Sequence, residues 1–289
     1  MMKKFFLLLL AALVILAGFY GYDYYHQPKK EQLPVIVKHP AQRTQDEIKD
    51  IYVNIKNEHI YGQAYIPASP QGSLPLLILC HGFGGHYTDL IPIAIKCMAN
   101  GIAAFCFDFR GGAPTNKSDG RMVDMSIKTE EEDLEAVIDN MRHQDFVNND
   151  RIYLGGHSQG GLVASLVGAK RDDIQGLFLA APAFNIPRLF RFVPLPEKGK
   201  TYRFLGTDVG RKYVEDARDI KIYGDVKSFD KTVLIFHGGS DTLVPIQYSA
   251  LAVEEYQHAK LISYEDADHL FNEYYLNDMA DQIVATIKK

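Results

Sequence analysis

Short apolar runs and longer amphipathic ones alternate along most of the chain. Ile51–Ile55 and Ile60–Ile66, separated by a polar turn at Asn57-Glu58, predict a β-hairpin. Leu76–Cys80, Ile102–Phe107, Leu177–Ala181 and Val233–Phe236 are apolar throughout, as strands covered on both faces should be. Arg151–Gly155 and Leu261–Tyr264 complete the set of predicted strands. Helices are expected between them. One starts near Thr88, with Pro92 in its first turn and Gly101 just past its end. Another starts at Thr129-Glu130-Glu131-Glu132, read as a capping box with Thr129 as cap, and buries Leu134, Val137, Ile138 and Met141. The apolar run Gly161–Val167 predicts a third, and two more are expected over 245–258 and 272–287. Such alternation means a mostly parallel sheet with helices on both faces.

That rhythm breaks once. Residues 183–230 hold Pro187, Pro194 and Pro196, a run of aromatic and basic residues, and a helical patch near Val209–Ala217. The stretch is too long for an ordinary strand-to-helix connection and is read as a small inserted cap. At the other extreme, Phe5–Tyr22 is an uncharged apolar run behind Lys3 and Lys4. As a helix it would reach roughly 27 Å, near the hydrocarbon thickness of a bilayer. Residues 1–22 are therefore read as a signal-anchor, with a cleaved signal peptide as the alternative. The lysines would stay in the cytoplasm and the remaining chain outside it, tethered to the membrane or secreted. Residues 23–47, broken by Pro28, Pro34 and Pro40, read as a stem, and 48–289 as the folded domain.

Charge and cysteine usage narrow the partners. A net charge of -5 and the absence of any long basic block argue against nucleic acid. Cys80, Cys97 and Cys106 lie in predicted core elements, which suits apolar packing better than disulfides. No Cys-x-x-Cys or His-x-x-x-His spacing suggests a metal site, and none is expected.

The chemistry centres on Gly156-His157-Ser158-Gln159-Gly160, a Gly-x-Ser-x-Gly pattern between a predicted strand and a predicted helix. A serine on such a turn is held above the sheet at the positive end of the helix, with small neighbours permitting the close approach. Its hydroxyl needs a base, and the base needs a carboxylate to fix its tautomer. His269 lies between the last strand and the last helix. Asp241, in the Gly-Ser-Asp turn after the strand at 233–236, is preferred to Asp266 and Asp268 as its partner. All three positions fall beyond the carboxyl ends of strands, where open parallel sheets bind ligands. For the oxyanion, the candidate donors are the main-chain amides of Phe83, in His81-Gly82-Phe83-Gly84-Gly85, and Gln159. His81, His86 and Asp108 are read as structural or bracing residues.

These pieces together resemble the serine hydrolases of the α/β-hydrolase fold, with the order Ser158, Asp241, His269. Within that fold the chain is similar to bacterial cinnamoyl and feruloyl esterases. The matching segments are His81–His86, Gly155–Gly161, Ala180–Ala183 and the inserted cap. In place of a Gly-His-Gly run found in many of those esterases, this chain has Phe109-Arg110-Gly111-Gly112-Ala113. The resemblance and the residues together imply a carboxylic ester hydrolase acting on a small-molecule ester, without metal or organic cofactor. A lipase or acylglycerol hydrolase, a peptidase-like acyl hydrolase, and a non-catalytic surface binding protein are the alternatives.

Overall fold

A computed structural model of the protein describes residues 43–69 and 72–289. The predicted signal-anchor and the stem up to residue 42 lie outside the described residues. Among the described residues, no helix is long and apolar enough to cross a membrane.

Eight strands form one sheet. In chain order they are β1 (Glu47–Ile55), β2 (Glu58–Ile66), β3 (Leu74–Cys80), β4 (Ala103–Phe107), β5 (Val147–His157), β6 (Ile174–Ala180), and two later strands. Those two are β9 (Thr232–Gly238) and β10 (Ala259–Tyr264); β7 (Tyr202–Phe204) and β8 (Thr207–Val209) form a separate antiparallel hairpin. The spatial order is β1-β2-β4-β3-β5-β6-β9-β10. Within this sheet β1–β2 and β2–β4 pair antiparallel, and the remaining pairings, from β4 across to β10 in spatial order, are parallel. The wholly apolar runs read from the sequence are the central strands, buried on both faces.

Helices cover the two faces. On one side lie α1 (Ile91–Met98) and the C-terminal α8 (Glu273–Ile287), which bury Ile93, Cys97, Met279 and Ile283. On the other lie α2 (Ile127–Met141) and α3 (Gln159–Gly168). The predicted stripe of α2, Leu134, Val137, Ile138 and Met141, is 0% exposed at all four positions. Each such burial contributes about 1.5–3 kcal/mol relative to exposure. The remaining helices are α4 (Ile186–Phe190), α5 (Arg211–Asp219), α6 (Ile222–Asp225) and α7 (Gln247–Glu255). All three cysteines are buried and free.

The start of α2 corrects the sequence reading. Ser126, not Thr129, is the cap: its Oγ accepts from the Thr129 amide at 3.3 Å, and Thr129 Oγ1 accepts from the Ser126 amide at 2.8 Å. Glu132 turns outward to Lys56 at 2.8 Å rather than back to a helix end. A hydroxyl at the third helical position can close the box as a carboxylate would, so the true cap lay one turn earlier. The helix predicted over 245–258 is shorter, at Gln247–Glu255. Near the chain's described start, Arg43 bridges to Ser69 and pairs with Asp145, so the last residues read as stem already touch the folded body.

Residues 183–230 contain no strand of the main sheet. They hold α4, the β7–β8 hairpin, α5 and α6. Phe190 packs edge to face against Phe204 and Tyr213 within this segment, at 4.9 and 5.3 Å between centroids, and Phe204 lies tilted against Tyr213 at 5.9 Å. Phe83, from the loop after β3, joins them through Phe204 and Tyr213. The aromatic run therefore fastens this segment to the loop after β3.

Candidate active site

The turn from β5 to α3 passes through Ser158 at φ 54°, ψ −119°, a conformation that side-chain-bearing residues rarely adopt. Close approach makes it possible. A methyl group on Gly156 would overlap the backbone of Gly160, and one on Gly160 would overlap the carbonyl oxygens of Cys80 and His81. Two backbone bonds fix the turn: the Ser158 amide donates to Ala180 at 2.9 Å, and the Ala183 amide donates to the Ser158 carbonyl at 2.9 Å. The serine side chain thus stands where β3, β5 and β6 end.

The other two predicted residues come to the same place. Ser158 Oγ lies 2.9 Å from His269 Nε2, and His269 Nδ1 lies 2.7 Å from Asp241 Oδ2. With the proton on Nδ1, His269 donates to the carboxylate and presents a lone pair to the serine hydroxyl. Asp241 Oδ1 accepts from the Leu243 and Val244 amides, each at 2.9 Å. Burial alone would raise the Asp241 pKa. The adjacent His237 ring, with hydrogen bonds from His269 and Val244, more than offsets this and holds it well below the usual carboxylate range. Of the competing acids, Asp268 accepts from the Leu270 amide instead, and both Asp266 and Asp268 are exposed.

Two histidines that sequence reasoning passed over support this arrangement. His237, 0% exposed, sits 3.4 Å from Asp241 Oδ2 and donates from Nε2 to the Val244 carbonyl at 2.7 Å, while its Nδ1 accepts from Ser249. It braces the loop that presents the carboxylate. His157 donates from Nε2 to the His269 carbonyl at 2.8 Å. Burial, with the nearby His269, lowers its pKa to about 4, so it stays neutral and adds no competing positive charge. Position was the available signal: His157 is inside the Gly-x-Ser-x-Gly pattern, and His237 ends the strand that leads to Asp241.

The loop after β3 carries the first candidate oxyanion donor. His81, 1% exposed, donates from Nδ1 to the Gly82 carbonyl at 2.7 Å and accepts at Nε2 from the Phe109 amide at 3.0 Å. Burial lowers its pKa, consistent with this neutral tautomer. The Gly84 amide donates to Gly112 at 2.9 Å, so the loop after β4 holds the loop after β3. Asp108 accepts from the Tyr87 and Lys117 amides at 2.7 and 2.8 Å, the bracing part expected of it. Among the described residues, neither the Phe83 nor the Gln159 amide is spent on a protein acceptor. Both remain available to a ligand oxygen.

Ser158 and His269 open into a cavity of about 280 Å³. Its walls are mainly apolar, with Phe83, Ile186, Leu189, Phe204, Leu243 and Val244 among the lining residues. Asn185, also in the lining, donates to the Leu243 carbonyl at 2.9 Å. Such a space suits an apolar acyl group next to a nucleophile. Among the described residues, no group of three or more His, Cys, Asp or Glu side chains is placed to hold a metal ion.

Comparisons with known proteins place the fold and the family. Residues 73–222 match the Hydrolase_4 family, described as serine aminopeptidase, S33. Est1E from Butyrivibrio proteoclasticus, in a structure with ferulic acid bound, is similar with a TM-score of 0.74 at 27% identity, over 83% of this chain and 100% of that one. The esterase domain of a Rhodothermus marinus protein shares the fold, with a TM-score of 0.65 at 19% identity over 83% of this chain and 97% of that one. In sequence, 99 residues are 39% identical to an uncharacterized 31.7 kDa protein of the traX-finO intergenic region in Escherichia coli. That match spans 32% of this chain and 32% of that protein, about a third of the relative's length. The α/β-hydrolase fold and the resemblance to feruloyl esterases both hold.

Proposed function

The chain belongs to the serine aminopeptidase S33 family of hydrolases, and from that premise we propose that it is a serine carboxylesterase. The observation that carries the reading is the unbroken line from Ser158 Oγ to His269 (2.9 Å) to Asp241 (2.7 Å), opening onto an apolar cavity. In the proposed cycle, Ser158 Oγ attacks the ester carbonyl as His269 Nε2 takes its proton. Asp241 stabilises the resulting imidazolium and keeps its ring oriented. The carbonyl oxygen, now negative, takes hydrogen bonds from the Phe83 and Gln159 amides. His269 then protonates the departing alcohol, leaving an acyl-enzyme. Water enters, gives a proton to the same histidine, and attacks the acyl carbon; collapse releases the acid and regenerates Ser158.

Residues 183–230 would act as a cap that shapes the acyl site through Ile186, Leu189 and Phe204. The ferulic-acid complex of Est1E makes cinnamoyl and feruloyl esters the first substrates to try. An extracytoplasmic location is proposed on the charge pattern of Lys3 and Lys4 before Phe5–Tyr22 alone. Ser158→Ala tests the central reading. Turnover of p-nitrophenyl butyrate should vanish in that variant, and turnover at the wild-type rate would refute the assignment.

A further inference from the structure

A second line of buried polar groups runs from Gln159, next to the serine. Gln159 is 1% exposed, and both ends of its carboxamide are engaged. Nε2 donates to Glu130 Oε2 at 2.8 Å, and Oε1 accepts from the Tyr213 hydroxyl at 2.6 Å. Glu130 and Tyr213 are themselves 1% and 0% exposed. Three elements meet here: α2 through Glu130, the elbow helix α3 through Gln159, and α5 of the insertion through Tyr213. Tyr213 makes a second contact, its ring standing edge-on to Phe83 at 5.8 Å between centroids. One side chain of the insertion therefore touches both residues whose amides are the proposed oxyanion donors.

We propose that Tyr213 and Glu130 are positioning residues for oxyanion stabilisation, clamping the Gln159 carboxamide from opposite ends and tying both amide-bearing residues to the inserted segment. The inference rests on the esterase reading and adds to it. Neither side chain need touch substrate. A donor amide is effective only when it is already aimed at the developing charge, so loss of the clamp should slow the chemical step rather than weaken substrate binding.

Protonation gives the clamp a signature. The groups facing Glu130 are Gln159 from α3, Tyr213 from α5, Cys80 at the end of β3, and Asp133 one turn along α2. Burial raises the Tyr213 phenol and the Cys80 thiol, which stay uncharged, and Asp133 is held by Arg110. Burial also raises Glu130 to about 8, against the lowering effect of the Gln159 hydrogen bond and with a further push from Asp133. At neutral pH the carboxyl is an uncharged acid. Its ionisation would put a negative charge one glutamine side chain from the oxyanion, where like charges repel in a poorly screened interior.

Tyr213→Phe removes the hydroxyl and keeps the ring, while Glu130→Gln keeps the hydrogen-bonding shape and removes the ionisation. The assay is kcat and KM for p-nitrophenyl butyrate from about pH 6 to about pH 10, beside fluorophosphonate labelling and a melting curve. Tyr213→Phe should lower kcat by about tenfold while KM stays within about twofold. Wild-type kcat should fall by about tenfold as pH passes 8, and Glu130→Gln should abolish that fall. A Tyr213→Phe enzyme with unchanged kcat, or with only KM altered, overturns the proposal. So does an alkaline fall shared by wild type and Glu130→Gln. If Tyr213→Phe does not melt cooperatively, the pH profile of Glu130→Gln decides. Failure of the clamp leaves turnover dependent on Ser158; failure of the esterase reading leaves none, or leaves turnover intact in Ser158→Ala.

Discussion

Replacing Asp241 with asparagine changes one oxygen to an amide nitrogen, and the surrounding bonds dictate which one. Asp241 Oδ1 accepts from two backbone amides, Leu243 and Val244, both at 2.9 Å. An asparagine must keep its carbonyl oxygen there, because an NH2 group would confront two N–H donors. Its NH2 group then occupies the Oδ2 position, 2.7 Å from His269 Nδ1. The imidazole answers by moving its proton to Nε2, which turns that nitrogen from acceptor to donor toward Ser158 Oγ. The shape of the site survives, but the base is lost. Serine hydrolases altered in this way lose about 10⁴ in kcat, which is about 5.5 kcal/mol at about 1.4 kcal/mol per tenfold. The check is kcat for p-nitrophenyl butyrate at neutral pH, with a melting curve to show that Asp241→Asn is folded. A loss of less than about tenfold in a folded variant would refute the argument that this carboxylate sets the tautomer.

Further outcomes follow from packing and titration. Gly160→Ala drives a methyl into the Cys80 and His81 carbonyl oxygens, so it should cost at least about 1–3 kcal/mol in a urea melt; full stability would show that β3 and α3 can separate. Glu130, raised to about 8, stabilises the fold fully below its unfolded pKa of about 4.5, and this is lost as pH rises through about 8. Glu130→Gln should therefore gain on wild type by about 1.4 kcal/mol per pH unit across that window, and a gap independent of pH in urea midpoints would contradict the buried acid. Phe204→Ala enlarges the apolar cavity, so kcat/KM for p-nitrophenyl octanoate relative to butyrate should rise by about tenfold; an unchanged ratio would remove Phe204 from the acyl wall.

Sequence was a good guide where burial is uniform or where chemistry needs a fixed spacing. Leu76–Cys80 and Val233–Phe236 read as central strands because strands covered on both faces have no polar side to hide. Ser158, Asp241 and His269 could be expected at one edge of the sheet because each follows a strand whose end was visible, and their side chains do meet there. The reading failed where two local solutions compete. Ser126 and Thr129 both look like caps, and the reciprocal bonds between them, with Glu132 turned outward to Lys56, decide for Ser126. It was silent where meaning depends on tertiary surroundings. Glu130, Glu131 and Glu132 are one acidic run in sequence, yet the first is buried against Gln159, the second pairs with Lys170, and the third is at the surface. The order of strands across the sheet was likewise illegible, since nothing in β4 announces that it pairs with both β2 and β3. In 183–230 only the helical patch near Val209–Ala217 was legible, matched by α5, because much of the rest packs around Phe83 and Tyr213 rather than along the sheet.

Peptide mapping by mass spectrometry after reaction with a fluorophosphonate tests the claim that one serine, activated through His269, carries the acyl group. The account predicts a single adduct on Ser158, formed in step with loss of ester turnover and formed far more slowly in Asp241→Asn. An adduct on another side chain, or complete modification of Ser158 with turnover intact, would contradict it.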